Sequence, residues 1–448
     1  MHIETFVADA LGDASHVLIH GGVAAVVDPQ RDVRPYLAAA ERAGARLAYV
    51  FETHVHNDYL SGGRELAALG AEVVAPAAAN LEFPHRALSP GDVLHVGGVA
   101  LAAFASPGHT YEHAAYLATP AGQSRPLAAF TGGSLLMGSA GRSDLLGPEH
   151  AAELARLQWA SAHALASALP GEAVLYPTHG AGSFCTAGGG VSDRFGALAT
   201  EQDRNPALRL PTVQAFMEAH LAPAPTPGYY PYMAPINRRG PVVHGAVPRP
   251  PRLDADRLAN PAGTVVLDIR GGREHAAGAV PGSLLIEFGP SMLAYVGWLV
   301  PFNAPIALVS ADAPQAETAT VDLFRIGYEH VVGYIAAPDI AADRLRGSGT
   351  VSAREVALAF GSGDRPVLDV RFRHEQEASP LPGALAAPID ELPHLAPSLP
   401  GGSVLVVCES GYRSATAASY LRRLGREATP LLGGGVSQVW PELRRVAS

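Results

Sequence analysis

The chain has 448 residues, with 32 Lys and Arg against 42 Asp and Glu, a formal net charge of −10 and no lysine. That length exceeds one compact core and implies about three domains, and 48% hydrophobic residues suit ordinary globular interiors. An acidic chain with no basic run excludes nucleic acid and anionic membrane as main partners. Two cysteines, Cys185 and Cys408, lie far apart and make no disulfide framework. Reduced thiols in the cytoplasm are the expectation. The start, Met1-His2-Ile3-Glu4-Thr5, lacks the pattern of a signal peptide. No apolar run approaches the ~20 residues of a membrane span.

Three apolar runs in the first half each lead into a histidine. Leu47 to Phe51 reads as a buried strand and runs into Glu52-Thr53-His54-Val55-His56-Asn57-Asp58-Tyr59. Val99 to Phe104 precedes Ser106-Pro107-Gly108-His109-Thr110, and Ala173 to Tyr176 precedes Pro177-Thr178-His179-Gly180. Strand ends on one sheet edge can converge, which is how an α/β fold builds a site. An H-x-H pair can put two nitrogens on one ion, and a third histidine closes a face while leaving positions open. Any single histidine is more often an ordinary core or surface residue, but the joint pattern favours a metal site. Cys185 follows His179 by six residues, and an inert packed thiol is its simpler reading.

Between Ala222 and Pro251 stand Pro223, Pro225, Pro227, Pro231, Pro235, Pro241, Pro248, Pro250 and Pro251. That density predicts an extended linker or wrap-around arm without helix or central strand. Tyr229, Tyr230, Tyr232 and Met233 predict that part of it packs on a domain. A second seam falls near Arg346-Gly347-Ser348-Gly349, and the segments flanking it repeat. Val265 to Arg270 echoes Val367 to Arg371, Val280 to Ser283 echoes Leu381 to Ala384, and Ile306 to Gly327 echoes Val404 to Gly425 without a gap. Repeats at this spacing are duplicated modules, each alternating short strands and helices around a parallel sheet.

In the second repeat the strand Val404 to Val407 delivers Cys408-Glu409-Ser410-Gly411-Tyr412-Arg413, and Ser414 opens a helix. A short glycine-containing loop closing on a helix N-terminus turns backbone N–H groups inward. Those dipoles, with Arg413, favour a thiolate able to attack a sulfur donor and hold the sulfur as a persulfide. Glu409, Ser410, Gly411 and Tyr412 are then the substrate-binding loop. A loop this tight suits one sulfur atom better than a phosphate. The aligned position in the first repeat is Ser310, whose loop has neither the glycine nor the arginine; that module is expected to be structural or docking.

The His54-x-His56-x-Asp58 motif with His109 and His179 resembles the metallo-β-lactamase superfamily, and the Cys408 loop resembles the rhodanese active site. Asp28-Pro29-Gln30-Arg31-Asp32, Gly141-Arg142-Ser143-Asp144 and Asn205-Pro206-Ala207-Leu208 resemble the persulfide dioxygenase branch, above all its bacterial fusions to rhodanese modules. The resemblance implies an α/β protein, with an αββα sandwich over residues 1–240 followed by two rhodanese-like α/β domains at 252–346 and 350–448. It also implies a metal ion at His54, His56, Asp58, His109 and His179, with iron ahead of zinc. Two departures stand out. Tyr59 replaces a histidine of the superfamily motif, and Phe130-Thr131-Gly132 is followed by Gly133 where the family has a metal-binding aspartate. In persulfide dioxygenases two histidines and that aspartate hold iron; here His54 and His109 remain without it, leaving His56, Asp58 or Asp144 to compensate. A two-metal site loses more.

The activity implied is persulfide oxidation coupled to sulfurtransfer at Cys408. The partners implied are a low-molecular-weight thiol persulfide, thiosulfate or sulfite, with self-association as a family tendency. The alternatives are a sulfurtransferase with a degraded N-terminal site and a zinc-dependent thioester-type hydrolase fused to rhodanese.

Overall fold

The computed structural model describes residues 1–188, 191–222, 224–254, 263–363 and 365–446. The seam proline Pro223 lies outside them, as do 255–262, 364, 447 and 448, which fall within the expected rhodanese-like spans. Contacts divide the chain into two units, Met1–Val247 with Phe324–Gly327, and Pro248–Leu323 with Tyr328–Ser448. Among the described residues no helix is long and apolar enough to cross a membrane.

The first unit stacks two six-stranded sheets whose spatial order follows the chain. One runs from His2–Ala8 to Arg86–Leu88, the other from Val93–Val96 to Gly196–Ala197. Period-two alternation sets the layers. Leu18, Ala25 and Val27 point between the sheets, where they meet Phe51, Val99, Leu101, Tyr116 and Phe130. Their neighbours Val17, Ala24 and Val26 point outward, under Tyr36 and Ala39 of helix Arg34–Arg42 and Leu66 of helix Gly63–Ala68. On the far side Leu117, Ala129 and Leu175 take Ala162 and Leu165 of helix Pro148–Ala168. The result is the expected αββα sandwich.

The strands read from sequence appear as Arg46–Phe51, Val99–Ala105 and Val174–Pro177. The proline-rich seam is a correction: Tyr230–Arg239 is a helix with Pro235 inside it. Pro231 sits in the first turn, where its missing N–H has no partner to lose. Pro235 forfeits one helical bond, at a cost of about 3 kcal/mol. Burial of Tyr230 and Met233 offsets that, as do three hydrogen bonds from Asn237. Its Oδ1 accepts from Ser61 N at 2.9 Å, and its Nδ2 donates to His56 O and Tyr59 O at 2.9 and 2.8 Å.

The second unit contains two four-stranded, all-parallel sheets of one topology. In each, the second strand sits at the edge, followed by the first, third and fourth. The first sheet comprises Val265–Asp268, Leu284–Leu285, Ile306–Ser310 and Val331–Ala336; the other comprises Val367–Asp369, Leu385–Ala386, Val404–Val407 and Ala428–Pro430. The echoing Asp-x-Arg pairs take the same job. Arg270 clasps Asp268 and Arg371 clasps Asp369, each just past the first strand. Helices Ala313–Arg325 and Tyr412–Arg423 follow the third strands.

Candidate functional site

The sheet ends of the first unit bring the imidazoles of His54, His56, His109 and His179 together, with His113 stacked 5.1 Å from His54. Ring centroids of His54 lie 4.2 Å from His56, 4.8 Å from His109 and 5.3 Å from His179, and all four side chains are almost wholly buried. Each ring has one nitrogen held by a protein oxygen. His54 Nδ1 meets Thr53 Oγ1 at 2.8 Å, and His109 Nδ1 donates to Arg142 O at 2.7 Å. His179 Nδ1 meets Asp13 Oδ1 at 2.9 Å and Asp58 Oδ2 at 3.2 Å. His56 Nε2 meets Asp28 Oδ1 at 3.3 Å and Glu52 Oε2 at 3.4 Å.

His56 Nδ1 and His109 Nε2 have no hydrogen-bond partner among the described residues. His54 Nε2 and His179 Nε2 lie 3.3 Å apart, about the edge of a tetrahedron around one ion with ~2.0–2.1 Å bonds. The Nε2 or Nδ1 atoms of His54, His109 and His179 form one compact set. Outer carboxylates and carbonyls that fix ring orientation are the usual support of metal-binding histidines.

Asp28 anchors this edge from the end of strand Val23–Val27, with φ of 50°. Its carboxylate accepts from Thr53 N at 2.7 Å, Thr53 Oγ1 at 2.8 Å and Thr178 Oγ1. Burial opposes its charge, but His56 and these donors outweigh burial and hold it below the usual carboxylate range. Burial likewise pulls the His56 and His179 imidazoles down. Asp28 and Glu52 overcome that at His56, and Asp58 and Asp13 at His179, pushing each up to about 10. Burial and the neighbouring rings keep His109 and His54 well below the usual histidine value.

In the second unit, Cys408 ends strand Val404–Val407 beneath helix Tyr412–Arg423. Gly411 N donates to its Sγ at 3.1 Å and Ser414 N at 3.4 Å, with Ser414 Oγ at 3.6 Å. Gly411 has φ of 92°, a conformation that aims its N–H at the sulfur and favours glycine. At the matching place in the other module, Ser310 Oγ donates to Asp312 O at 2.8 Å, and Ala311 N donates to Gln315 Oε1. That loop satisfies itself and presents no cradle.

Residues 352–441 match the model of the rhodanese-like domain. A crystal structure of a metallo-β-lactamase from Staphylococcus aureus subsp. aureus COL aligns with a TM-score of 0.66 at 25% identity, over 75% of this chain and 99% of that one. The chain is a metallo-β-lactamase fold fused to a rhodanese-like domain. Hydroxyacylglutathione hydrolase of Acidiphilium cryptum (strain JF-5) is 41% identical over 104 residues, 22% of this chain and 42% of the relative. The enzyme of that name from Methylobacillus flagellatus is 41% identical over 98 residues, 21% of this chain and 39% of the relative. The chain therefore spans about two fifths of the length of these relatives.

In the metallo-β-lactamase fold, two further sets with metal-ligand spacing overlap the first: Asp28, His54 and His56, and His56, Asp58 and His179. Gly133 brings no bridging carboxylate, and a Cβ built on it would lie 2.3 Å from His109 Cδ2. The imidazole fills the room an aspartate needs. Gly133 N donates to His113 Nε2 at 2.9 Å, and Ser106 Oγ holds the other nitrogen of that ring. Tyr59, standing in for a histidine, stacks on His56 at 4.3 Å and donates to Asp28 O at 3.1 Å. Asp58 Oδ2 lies 3.2 Å from His179 Nδ1, and Asp58 with His56 and His179 has the spacing of a metal-ligand set. Asp144 is bound to Arg142 at 2.7 and 2.9 Å. Cys185 is buried with Sγ 3.6 Å from Tyr230 Oη, and burial pushes its thiol well up, as suits a packed cysteine.

In the rhodanese-like domain, Arg413 departs from expectation. Its guanidinium is spent on Glu375 and stacks over Phe372, with 4.9 Å from Cζ to the ring centre. The groups facing the sulfur are backbone N–H groups and Ser414. Glu409 and Ser410 are exposed, and Tyr412 packs its ring 4.9 Å from Tyr295 of the cysteine-free module. Glu375, Ser414 and Tyr295 were missed from sequence. The shared spacing of Arg270 to Glu274 and Arg371 to Glu375 was the available signal for the first.

Proposed function

We propose that this chain is a sulfurtransferase that carries sulfane sulfur as a persulfide on Cys408, joined to a metal-dependent module acting on sulfur compounds. The observation behind the first half is the pair of N–H groups, from Gly411 and Ser414, aimed at Cys408 Sγ at a helix N-terminus. The Cys408 thiolate attacks the outer sulfur of thiosulfate; the new S–S bond forms as the old one breaks, and the electron pair leaves on sulfite. The same N–H groups then face the anionic outer sulfur. A thiophilic acceptor takes that sulfur and restores the thiolate. Mass spectrometry of the full chain after thiosulfate should show one added sulfur, absent in Cys408→Ser. A Cys408→Ser variant that still forms thiocyanate from thiosulfate and cyanide would overturn the assignment.

For the N-terminal module, the reading is a single ion held by His54, His109 and His179, with His56 beside them, iron favoured and persulfide oxidation as the activity. When bound, iron would supply Lewis acidity and oxygen activation. The chain's own residues orient the rings through Asp28, Asp13, Asp58 and Arg142 O and exclude water by burial. A second reading, a zinc-dependent thioester hydrolase, has the names of the curated relatives in its favour. Elemental analysis of the purified chain separates them. About one iron per chain supports the first, and zinc supports the second. No ion, even after loading, would leave sulfurtransfer alone.

A further inference from the structure

The second unit contains a cavity of about 120 Å³ bounded by both of its modules, several times what one water requires. His275, Ser283 and Arg346 line it from the cysteine-free module, Ser348 from the seam that follows, and Arg422 enters from helix Tyr412–Arg423. No acidic residue lines it among the described residues. Nearby Asp268 is already clasped by Arg270, at 2.7 and 2.9 Å. Arg422 spends one N–H group on Ala428 O at 2.7 Å and has no ion-pair partner among the described residues. Arg346 turns one nitrogen to the carbonyls of Asp343 and Leu345 and makes no carboxylate pair there either.

Two arginines facing one space without a counter-ion are costly where one is withdrawn from water. Like charges repel, and a half-buried guanidinium loses solvation that a carboxylate normally replaces. Burial alone pulls the Arg422 guanidinium down to about 10, so it remains charged at neutral pH. The wall also offers neutral donors: Ser348 Oγ, and the Ser283 Oγ and His275 Nε2 pair, 3.3 Å apart. Forked N–H groups with hydroxyls around a small cavity suit an oxyanion.

We propose that this cavity binds a small, multiply charged oxyanion of sulfur or phosphorus, clamped between Arg346 of one module and Arg422 of the other. The site is separate from Cys408. Arg422 lies nine residues along the helix from Arg413, about 14 Å at 1.5 Å per residue. The proposal does not depend on whether Cys408 carries sulfur.

The test is thermal unfolding and calorimetric titration of the full chain with sulfate, thiosulfate and inorganic phosphate, each against chloride at matched ionic strength. A saturable rise in Tm beyond that in chloride is expected, in the parent chain and in Cys408→Ser alike. Arg346→Gln, at an exposed position, should fold normally and weaken binding at least tenfold; Arg422→Gln should abolish it. Tighter binding of the sulfur oxyanions would identify a substrate-derived ligand, and tighter phosphate binding a general anion. A Tm response equal to that in chloride, or full binding retained in Arg346→Gln, would overturn the proposal.

Discussion

Glu375 grips Arg413 with both carboxylate oxygens, one of them 2.9 Å from Nη2. Glu375 also accepts from Phe372 N at 3.0 Å, fixing it at the start of helix Arg373–Ala378. The one cation of the cysteine loop is thereby neutralised beside the sulfur. Glu375→Gln keeps the shape and an acceptor for Phe372 N while releasing the charge. It is expected to lower the KM for dianionic thiosulfate roughly tenfold, with kcat little changed. A monoanionic thiosulfonate should respond less. Equal responses to the two donors would show that the pair is only structural.

Gly411→Ala tests the N–H cradle without touching the thiol. A Cβ there meets backbone of Leu431, Leu432 and Gly433 at 3.4 Å, and φ of 92° strains any other residue by roughly 1–3 kcal/mol. Sulfur transfer is expected to fall at least tenfold, while far-ultraviolet circular dichroism remains that of the parent chain.

Restoring the family aspartate should not restore a family site. In Gly133→Asp the new Cβ collides with His109, whose Nδ1 is held at Arg142 O. Metal content is expected to fall, not rise, and Tm with it. His109→Ala should also lose the ion. A Gly133→Asp chain with more bound metal and unchanged Tm would show that the imidazole has another place to go.

Stability should drop in mild acid. Burial pushes His16 and His220 down to about 4 in the folded chain, against about 6.5 when unfolded. A depressed value means that the unfolded state binds more protons between those limits. The contribution is complete above about pH 6.5 and is lost as pH falls toward 4. Thermal unfolding midpoints across that range should decline, and less steeply in His220→Asn, which keeps a polar partner for Ser143 Oγ, now 3.0 Å from the ring.

Much of this was legible in the sequence. Apolar runs ending in His54, His109 and His179 announced three strand ends, because a buried strand must be apolar while the loop beyond it is free to carry chemistry. The echo of Val265 to Arg270 in Val367 to Arg371 announced two sheets of one topology. The helix Tyr230–Arg239 was not legible. Proline density argues locally against helix, whereas Asn237, Tyr230 and Met233 stabilise it through partners far away in sequence. Arg413 was half legible for the same reason: its charge is visible in the chain, but its pairing with Glu375, 38 positions upstream, is not. The ring nitrogens also escaped, because the atom each histidine turns inward depends on what Asp28, Asp13 and Arg142 O hold on the other side.

Asn237→Ala would remove three hydrogen bonds to the loop bearing His56 and Tyr59, and unfolding free energy should fall by about 1–3 kcal/mol. The larger effect concerns time. The imidazoles are almost wholly buried and this helix is fastened to their loop, so an ion bound there would exchange more slowly while those bonds hold. Chelators would then act at a pace set partly by local opening and not by affinity alone. Loosening Asn237 should speed exchange far more than it weakens binding.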